Sequence, residues 1–263
     1  MIDERTLLDL SGRFRDSRQL ERDYLLTLLL SEIYRVFSTD LIFKGGTALK
    51  YFYGLNRFSE DLDFTYAGVC DSIVRKQITN KIEIALKRFG MQYSISAHET
   101  RANKEKESII GLNHIIRVAG PFNKTSGQLQ NINIDISLRN DLIEKPVLNY
   151  ISPIYPDITT FSVLTMNVDE ILAEKIAAII EREKMRDIYD TYYLIEIRKI
   201  KYDEDLVAKK LSKRHEKFDK KRLKARIEAA RDKMRWKSEL SYLIDMPPDN
   251  IDVVSKLNKV FDL

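Results

Sequence analysis

The sequence predicts an α+β fold in which a mixed-sheet lobe is followed by a helical lobe. Apolar residues alternate with a period of two in several segments between residues 91 and 137. Apolar stripes of helical period prevail from Val168 onward, and glycine is absent after Gly127. These observations place the lobe boundary near residue 160, giving residues 1–160 as a mixed lobe with N-terminal helices and residues 161–263 as a helical lobe.

In the first lobe, residues 1–40 are predicted to be helical, since apolar residues recur there at helical spacing, at Leu25, Leu28, Leu29 and Ile33. A short apolar strand over residues 40–44 ends at Gly45-Gly46. A helix over residues 47–53 follows and stops at Gly54. Residues 61–66 are predicted to form a strand.

The remaining elements follow the same periodicities. We expect a helix over residues 72–89 and strands over residues 91–98, 108–118 and 132–137, with a turn-rich loop at 119–130. In the last strand Ile132, Ile134 and Ile136 would face the core. Helices then begin at Val168, and Pro247-Pro248 interrupts the last of them.

Composition indicates an ordinary globular protein. With 44% hydrophobic and 32% charged residues, the chain of 263 residues suits one large domain or two modest ones. Its single Cys70 excludes an intrachain disulfide and fits a reducing compartment. The first residues alternate in charge, and no apolar run reaches the ~20 residues of a membrane span. We therefore expect a cytoplasmic protein without a membrane segment.

Positive charge is concentrated in one region. Residues 201–240 contain fifteen Lys or Arg and eight Asp or Glu, although the net charge of the whole chain is only +4. Such asymmetry indicates a polyanionic partner for the C-terminal part, or else a solvated surface of charged helices.

The densest chemical signal is KGGTALKYFYGLNRFSEDLDF, residues 44–64. Gly45 and Gly46 stand between a strand and a helix, where backbone N–H groups can approach an anion, and Thr47 adds a hydroxyl. Asp61 and Asp63 are two residues apart on a strand, so both carboxylates project from one face. Two such acids beside a phosphate cradle suit Mg²⁺ that shares its ligands with a triphosphate.

Each part also has an ordinary explanation, since two glycines can form a tight turn and two spaced acids can lie on an exposed strand. Their combination in this order favours nucleotide and metal binding. Asp135 is the natural third carboxylate, because it lies on the polar face of the isoleucine-rich strand. It could complete a two-metal site or merely point to solvent.

A second cluster of charged residues lies in the helical lobe, at residues 169–190. Lys175 could reach a triphosphate as a point charge, and Asp187 could cap a helix or hold Lys175. Arg186 and Asp190 are four residues apart and could form a helical ion pair. The spacing alone favours a structural ion-pair network over a catalytic role.

The motifs KGGTALKYFYG and RFSEDLDF, with the later AEKIAAIIEREKMRDIYD, resemble the AbiEii/MenT-like nucleotidyltransferases, the toxins of bacterial type IV toxin–antitoxin systems. The matching motifs lie within residues 41–195. The resemblance implies a nucleotidyltransferase-like lobe of the DNA polymerase beta type joined to a helical lobe, with the active site in the cleft between them.

The resemblance also implies residue roles. Gly45, Gly46 and Thr47 would contact the triphosphate, with Lys44 of the same motif as a further nucleotide-binding residue. Asp61 and Asp63 would bind Mg²⁺. Asp135 matches the third acid of the wider superfamily and is the third metal candidate. Lys175 would contact the nucleotide, and Asp187 would be a catalytic or site-organising acid.

Some members of the family transfer nucleotides to the 3′ end of tRNA. The resemblance therefore implies a Mg²⁺-dependent transfer of a nucleoside monophosphate from an NTP to RNA, with tRNA as the expected acceptor and the basic residues 201–240 as phosphate contacts. It also implies a cognate antitoxin that acts without a stable complex.

Three other functions remain open from the sequence. A two-metal nuclease could use Asp61, Asp63 and Asp135, although it would not need the glycine cradle. The acceptor could be a protein hydroxyl rather than RNA. The chain could also be a non-catalytic regulator that binds nucleotide or RNA, although its acidic residues are intact.

Overall fold

The computed structural model describes residues 2–37, 39–103 and 106–263. It confirms the predicted α+β class, with one seven-stranded mixed sheet and helices that predominate after it. No helix in the described ranges is both long and apolar enough to span a bilayer.

The strands form a sheet in the order β3-β4-β5-β2-β1-β7-β6. β1 runs parallel to β7 and β2 runs parallel to β5, while the other neighbours are antiparallel. The strands are β1 Leu41–Lys44, β2 Asp61–Tyr66, β3 Tyr93–Asn103, β4 Lys106–Val118, β5 Gln130–Ser137, β6 Val147–Ile151 and β7 Phe161–Thr165.

The helices precede, interrupt and follow these strands. A short 3₁₀ turn lies at Ser11–Arg13, another at Ala229–Arg231, and a π-helical segment at Tyr193–Ile197. The α-helices are α1 Glu4–Leu8, α2 Ser17–Val36, α3 Gly45–Tyr53, α4 Ser72–Phe89, α5 Asn123–Ser126, α6 Val168–Glu181, α7 Met185–Tyr192, α8 Glu204–Lys213, α9 Lys220–Glu228, α10 Lys233–Leu240 and α11 Asn250–Phe261.

Two compact units make up the chain. The first contains the whole sheet and consists of Met1–Thr47, Glu60–Asn140 and Pro146–Thr165. The second is helical and consists of Ala48–Ser59, Asp141–Lys145 and Met166–Leu263. The helical unit therefore includes two short segments from earlier in the chain.

Alternation of buried and exposed residues fixes the faces of the two central strands. On β5 the three isoleucines are buried, whereas Asn133 and Asp135 are not. On β2, Leu62 and Phe64 are buried, whereas Asp61 is half-buried. The predicted alternation is confirmed, and it places the acidic side chains on the face opposite the apolar core.

The structure corrects several predicted elements. α3 begins at Gly45 rather than at Thr47, because the positive φ of Gly45 allows the chain to turn from β1 directly into the helix. The loop predicted at 119–130 contains α5, and the hairpin strands β3 and β4 are longer than predicted. The sequence pattern predicts neither β6 nor β7, which extend the sheet beyond β1.

Within the described ranges, the sheet core contains one fully buried ionisable side chain with no hydrogen-bond partner. His114 on β4 lies opposite Ile134 of β5 and is fully buried. Neither ring nitrogen has a hydrogen-bond partner among the described residues. Burial disfavours the charged ring and lowers the pKa of His114 to about 4.

His114 should therefore make the protein sensitive to acid. Its pKa rises on unfolding, so the unfolded chain binds the proton more tightly, and stability should fall as pH drops from 6.5 towards 4. The expected loss is roughly 3 kcal/mol. In His114→Leu this loss should largely disappear, as urea unfolding at pH 7 and pH 4.5 would show. An equal acid sensitivity in both proteins would contradict the assignment to His114.

Candidate active site

Four polar residues form a row across four neighbouring strands. Lys44 of β1 lies opposite Asp63 of β2, which lies opposite Asp135 of β5. Asn113 of β4 lies opposite Asp135 on its other side. Residues paired in register project from the same face of a sheet. Long-range pairing thus brings together Asp63 and Asp135, which are far apart in sequence.

Two asparagine amides hold two of the three carboxylates on this face, those of Asp61 and Asp135. Asn133, paired in register with Asp61, donates from Nδ2 to Asp61 Oδ1 at 2.8 Å. Asn113 donates from Nδ2 to Asp135 Oδ1 at 2.5 Å. Each bond uses one carboxylate oxygen and restricts the side-chain rotation. Asp61 and Asp135 are therefore preoriented by asparagines on neighbouring strands.

Gly45 packs directly against Asp63. Gly45 has a φ of +75°, and a Cβ added there would lie 2.2 Å from Asp63 Oδ2. Both the backbone conformation and the close approach require glycine. The first glycine of the motif therefore makes room for the Asp63 carboxylate at the start of α3.

Gly45→Ala should displace Asp63 and abolish most catalytic activity, because the new methyl group occupies the position of the carboxylate. The matched control is Gly127→Ala, at a similar φ of +66° with nothing within 4 Å of the added Cβ. The control should lose about 1 kcal/mol of stability from backbone strain and keep its activity. Similar activities in the two variants, each measured on folded protein, would contradict the packing role of Gly45.

The other motif residues lie beside this contact. Thr47 is buried, and its Oγ1 donates to the backbone oxygen of Asp61 at 2.5 Å. The hydroxyl thus connects the first turn of α3 to β2. Lys44 and Gly46 are buried at the end of β1 and in the first turn of α3. Contacts of these residues with a triphosphate remain predictions.

The donor set on this face fits Mg²⁺ shared with a substrate. Among the described residues, no group of three or more His, Cys, Asp or Glu is arranged to hold a metal by itself. Mg²⁺ in phosphoryl-transfer sites is commonly held by one or two carboxylates together with substrate phosphates. The half-buried Asp61 and Asp63, on one face of β2, would supply such a pair of oxygen ligands. Asp135 remains a predicted third ligand.

Lys175 and Asp187 belong to the helical unit, where the structure brings them together. Lys175 Nζ lies 3.2 Å from Asp187 Oδ1 and 2.7 Å from Asp190 Oδ2. Arg182 also contacts Asp187, with Nε 2.9 Å from Oδ2. Of the two roles predicted for Asp187, the structure shows the contact with Lys175. The Asp187 side chain makes no N-cap hydrogen bond for α7.

Arg57 completes this network, although the sequence pattern did not single it out. Its Nε and Nη2 donate to the two carboxylate oxygens of Asp190 at 2.6 and 2.7 Å. Both side chains are almost completely buried. Arg57 begins the RFSEDLDF motif, but its partner lies more than a hundred residues later, so local spacing gave no signal of the contact.

The proposed helical pair of Arg186 and Asp190 is wrong. Both oxygens of Asp190 are engaged by Arg57 and Lys175. Asp190 faces the interior of the helical unit, whereas Arg186 is half-buried and lines a surface cavity. Asp190 therefore pairs with Arg57, from a distant segment, and not with Arg186, the local partner that the four-residue spacing suggested.

Charges in this network stabilise one another's ionised forms. Burial acts to lower the pKa of Lys175, but the carboxylates of Asp190 and Asp187 outweigh it and raise that pKa. Burial acts to raise the pKa of Asp190, but Arg57 and Lys175 lower it to about 2. Lys175 and Arg182 likewise lower the pKa of Asp187 against the effect of burial. At neutral pH Lys175 is therefore a cation held by two carboxylates.

Among the solved structures that share this fold are MenT4 and JHP933. MenT4, a nucleotidyltransferase toxin from Mycobacterium tuberculosis H37Rv, aligns with a TM-score of 0.63 at 18% identity, covering 98% of this chain and 86% of that chain. JHP933 from Helicobacter pylori aligns with a TM-score of 0.54 at 21% identity, covering 94% of this chain and 91% of that chain. At these identities the likeness shows the fold alone.

No curated protein matches the chain significantly. The family described as "Nucleotidyl transferase AbiEii toxin, Type IV TA system" matches residues 28–261, nearly the whole sequence. This match includes both β2 with its two acids and the helical motif with Lys175 and Asp187. The chain therefore belongs to the AbiEii family, the nucleotidyltransferase toxins of type IV toxin–antitoxin systems.

Proposed function

We propose that this nucleotidyltransferase transfers a nucleoside monophosphate from an NTP to the 3′ hydroxyl of RNA, with tRNA as the acceptor. The observation that carries the proposal is the in-register pair of Asp63 and Asp135, with Gly45 packed against the Asp63 carboxylate. Asp61 and Asp63 would hold Mg²⁺ together with the triphosphate. The bound ion would neutralise negative charge on the phosphates.

In the proposed reaction, the RNA 3′ oxygen forms a bond to the α-phosphorus of the NTP. The bond from that phosphorus to the bridging oxygen of the β-phosphate breaks, and pyrophosphate leaves. Asp135 orients the attacking hydroxyl and accepts its proton, a role that suits its exposed position beside Asp63. Asn113 restrains the rotation of Asp135 through its hydrogen bond.

Lys175 and Asp187 take the roles that the family resemblance implies. The Lys175 ammonium neutralises phosphate charge as pyrophosphate leaves, and Asp187 holds that ammonium in place. Two carboxylates keep Lys175 protonated at neutral pH, which such a role requires. Asp187 is a positioning residue in this scheme.

The basic C-terminal region supports an RNA acceptor. Not all of its cations are available, because Lys210 is fully buried against Glu170 and Asp141. Many lysines remain exposed and can contact phosphates without sequence preference. They are Lys201, Lys209, Lys217, Lys221, Lys224, Lys233 and Lys237.

The family assignment suggests three further proposals. The enzyme acts in the cytoplasm, where tRNA is available. Its preferred metal is Mg²⁺, since oxygen ligands alone form the acidic face. A cognate antitoxin opposes its toxicity without forming a stable complex.

The experiment that tests the proposal is incubation of the protein with total tRNA, Mg²⁺ and each α-labelled NTP in turn. Label should enter RNA with at least one NTP, and chelation of the metal should prevent it. Label in protein would instead identify a protein hydroxyl as the acceptor. Shortened RNA without label would indicate a nuclease, and unchanged RNA without label would indicate a non-catalytic binding protein.

A further inference from the structure

A polar cavity of about 380 Å³ lies in the helical unit, beside the start of α7 and the end of α10. Pockets of ~300 Å³ and above accommodate small ligands, so this volume suits a single nucleotide. Its lining residues do not include Lys175 or Asp187. They are Glu183, Lys184, Arg186, Ser238, Glu239 and Tyr242.

Arg186 is the cation that distinguishes this cavity. In the part of the chain that the structure describes, its guanidinium makes no hydrogen bond or ion pair. It is nevertheless half-buried rather than extended into solvent. A guanidinium presents five N–H donors in a planar fork that matches a phosphate group. Arg186 therefore offers an unused phosphate-binding group to the cavity.

The two carboxylates of the cavity wall are engaged by other groups. Glu239 accepts from Arg235 Nε at 2.8 Å and from the backbone N–H of Met185 at 2.9 Å. Glu183 accepts from Arg235 at 3.0 Å and also pairs with Arg226. These contacts balance the negative charges of the two carboxylates. Arg186 and the exposed Lys184 therefore leave an excess of positive charge in the cavity.

Tyr242 supplies an aromatic surface next to these cations. Its side chain is 51% exposed although it lines the cavity. Aromatic rings stack on unpaired bases of every type, and each stacked base is worth about 1–3 kcal/mol, which corresponds to between about five- and 140-fold in affinity. Cations for a phosphate and a ring for a base are thus combined in one cavity.

We propose that this cavity binds one unpaired nucleotide of the RNA acceptor, its phosphate on Arg186 and Lys184 and its base on Tyr242. The proposal rests on the proposed function, because it presumes an RNA acceptor. Arg186 directly precedes Asp187 on α7.

The test compares Arg186→Gln with Lys259→Gln, an exposed position on α11 that loses the same charge. Binding of a short fluorescent single-stranded RNA is measured by anisotropy without NTP, and KM for RNA and for NTP are measured with the labelled NTP. Arg186→Gln should weaken RNA binding and raise KM for RNA about tenfold, with kcat and KM for NTP unchanged. Lys259→Gln should match the wild type. Tyr242→Ala should weaken RNA binding similarly, and Tyr242→Phe should retain it.

Several outcomes would overturn the proposal. Unchanged RNA binding in Arg186→Gln, while the wild type still labels RNA, would exclude the subsite and leave the proposed function intact. A lower kcat at unchanged KM would show that Arg186 acts through Asp187 instead of binding the acceptor. No binding and no labelling of RNA by the wild type would overturn the RNA acceptor and the subsite together.

Discussion

Asp63→Asn is expected to reduce nucleotidyl transfer about a thousandfold or more, because it removes one of the two negative ligands proposed for Mg²⁺. The amide has nearly the same shape as the carboxylate, so the contact with Gly45 is preserved. Unfolding stability should change by less than about 1 kcal/mol, since Asp63 is only half-buried. Incorporation of labelled NMP and urea unfolding measure the two effects.

The matched control for Asp63→Asn is Glu83→Gln, which neutralises an exposed acid on α4. It should transfer nucleotides at the wild-type rate. If folded Asp63→Asn protein kept more than about a tenth of the activity, Asp63 would not be an essential metal ligand.

Arg57→Met is expected to lower the free energy of unfolding by about 3–5 kcal/mol, because it removes one partner of a buried ion pair. The Asp190 carboxylate would keep only Lys175 as a charged partner. Transfer activity should fall as well, because Lys175 would be drawn towards Asp190. Urea unfolding followed by circular dichroism measures the stability, and labelled NTP measures the activity.

Two comparisons make the Arg57 prediction specific. The double variant Arg57→Met with Asp190→Asn should recover part of the lost stability, because no carboxylate then lacks its guanidinium partner. Arg35→Met removes a half-exposed guanidinium from Glu32, which keeps Arg88 as a partner, and should cost less than about 1 kcal/mol. Equal losses in Arg57→Met and Arg35→Met would show that the buried pair contributes no more than a surface pair.

Local patterns were sufficient to predict much of the sheet. The alternation on β5 and the spacing of Asp61 and Asp63 on β2 each reflect a strand with one buried face, which leaves a period-two signal in the sequence. Gly45 was informative for a similar reason, since a positive φ and a close side chain both exclude other residues. The carboxylates could therefore be assigned to one face before their neighbours were known.

Features that depend on contacts between distant residues left no local pattern in the sequence from which they could be predicted. β6 and β7 have only five residues each, and β6 shows no regular alternation of burial. The pairing of Arg57 with Asp190 joins residues that are 133 positions apart in the sequence. For the same reason, the inclusion of residues 48–59 and 141–145 in the helical unit was not predictable.

The parallel pairing of β2 with β5 has a consequence for how the enzyme becomes active. All of residues 67–129, which lie between β2 and β5, must be synthesised before Asp63 can gain Asp135 as its neighbour. β1 receives its parallel partner β7 later still. Parallel pairings across such separations form slowly, because the loop must be closed before any contact stabilises it. We expect a nascent or truncated chain that ends before Gln130 to carry two of the acids and yet be harmless to the cell that makes it.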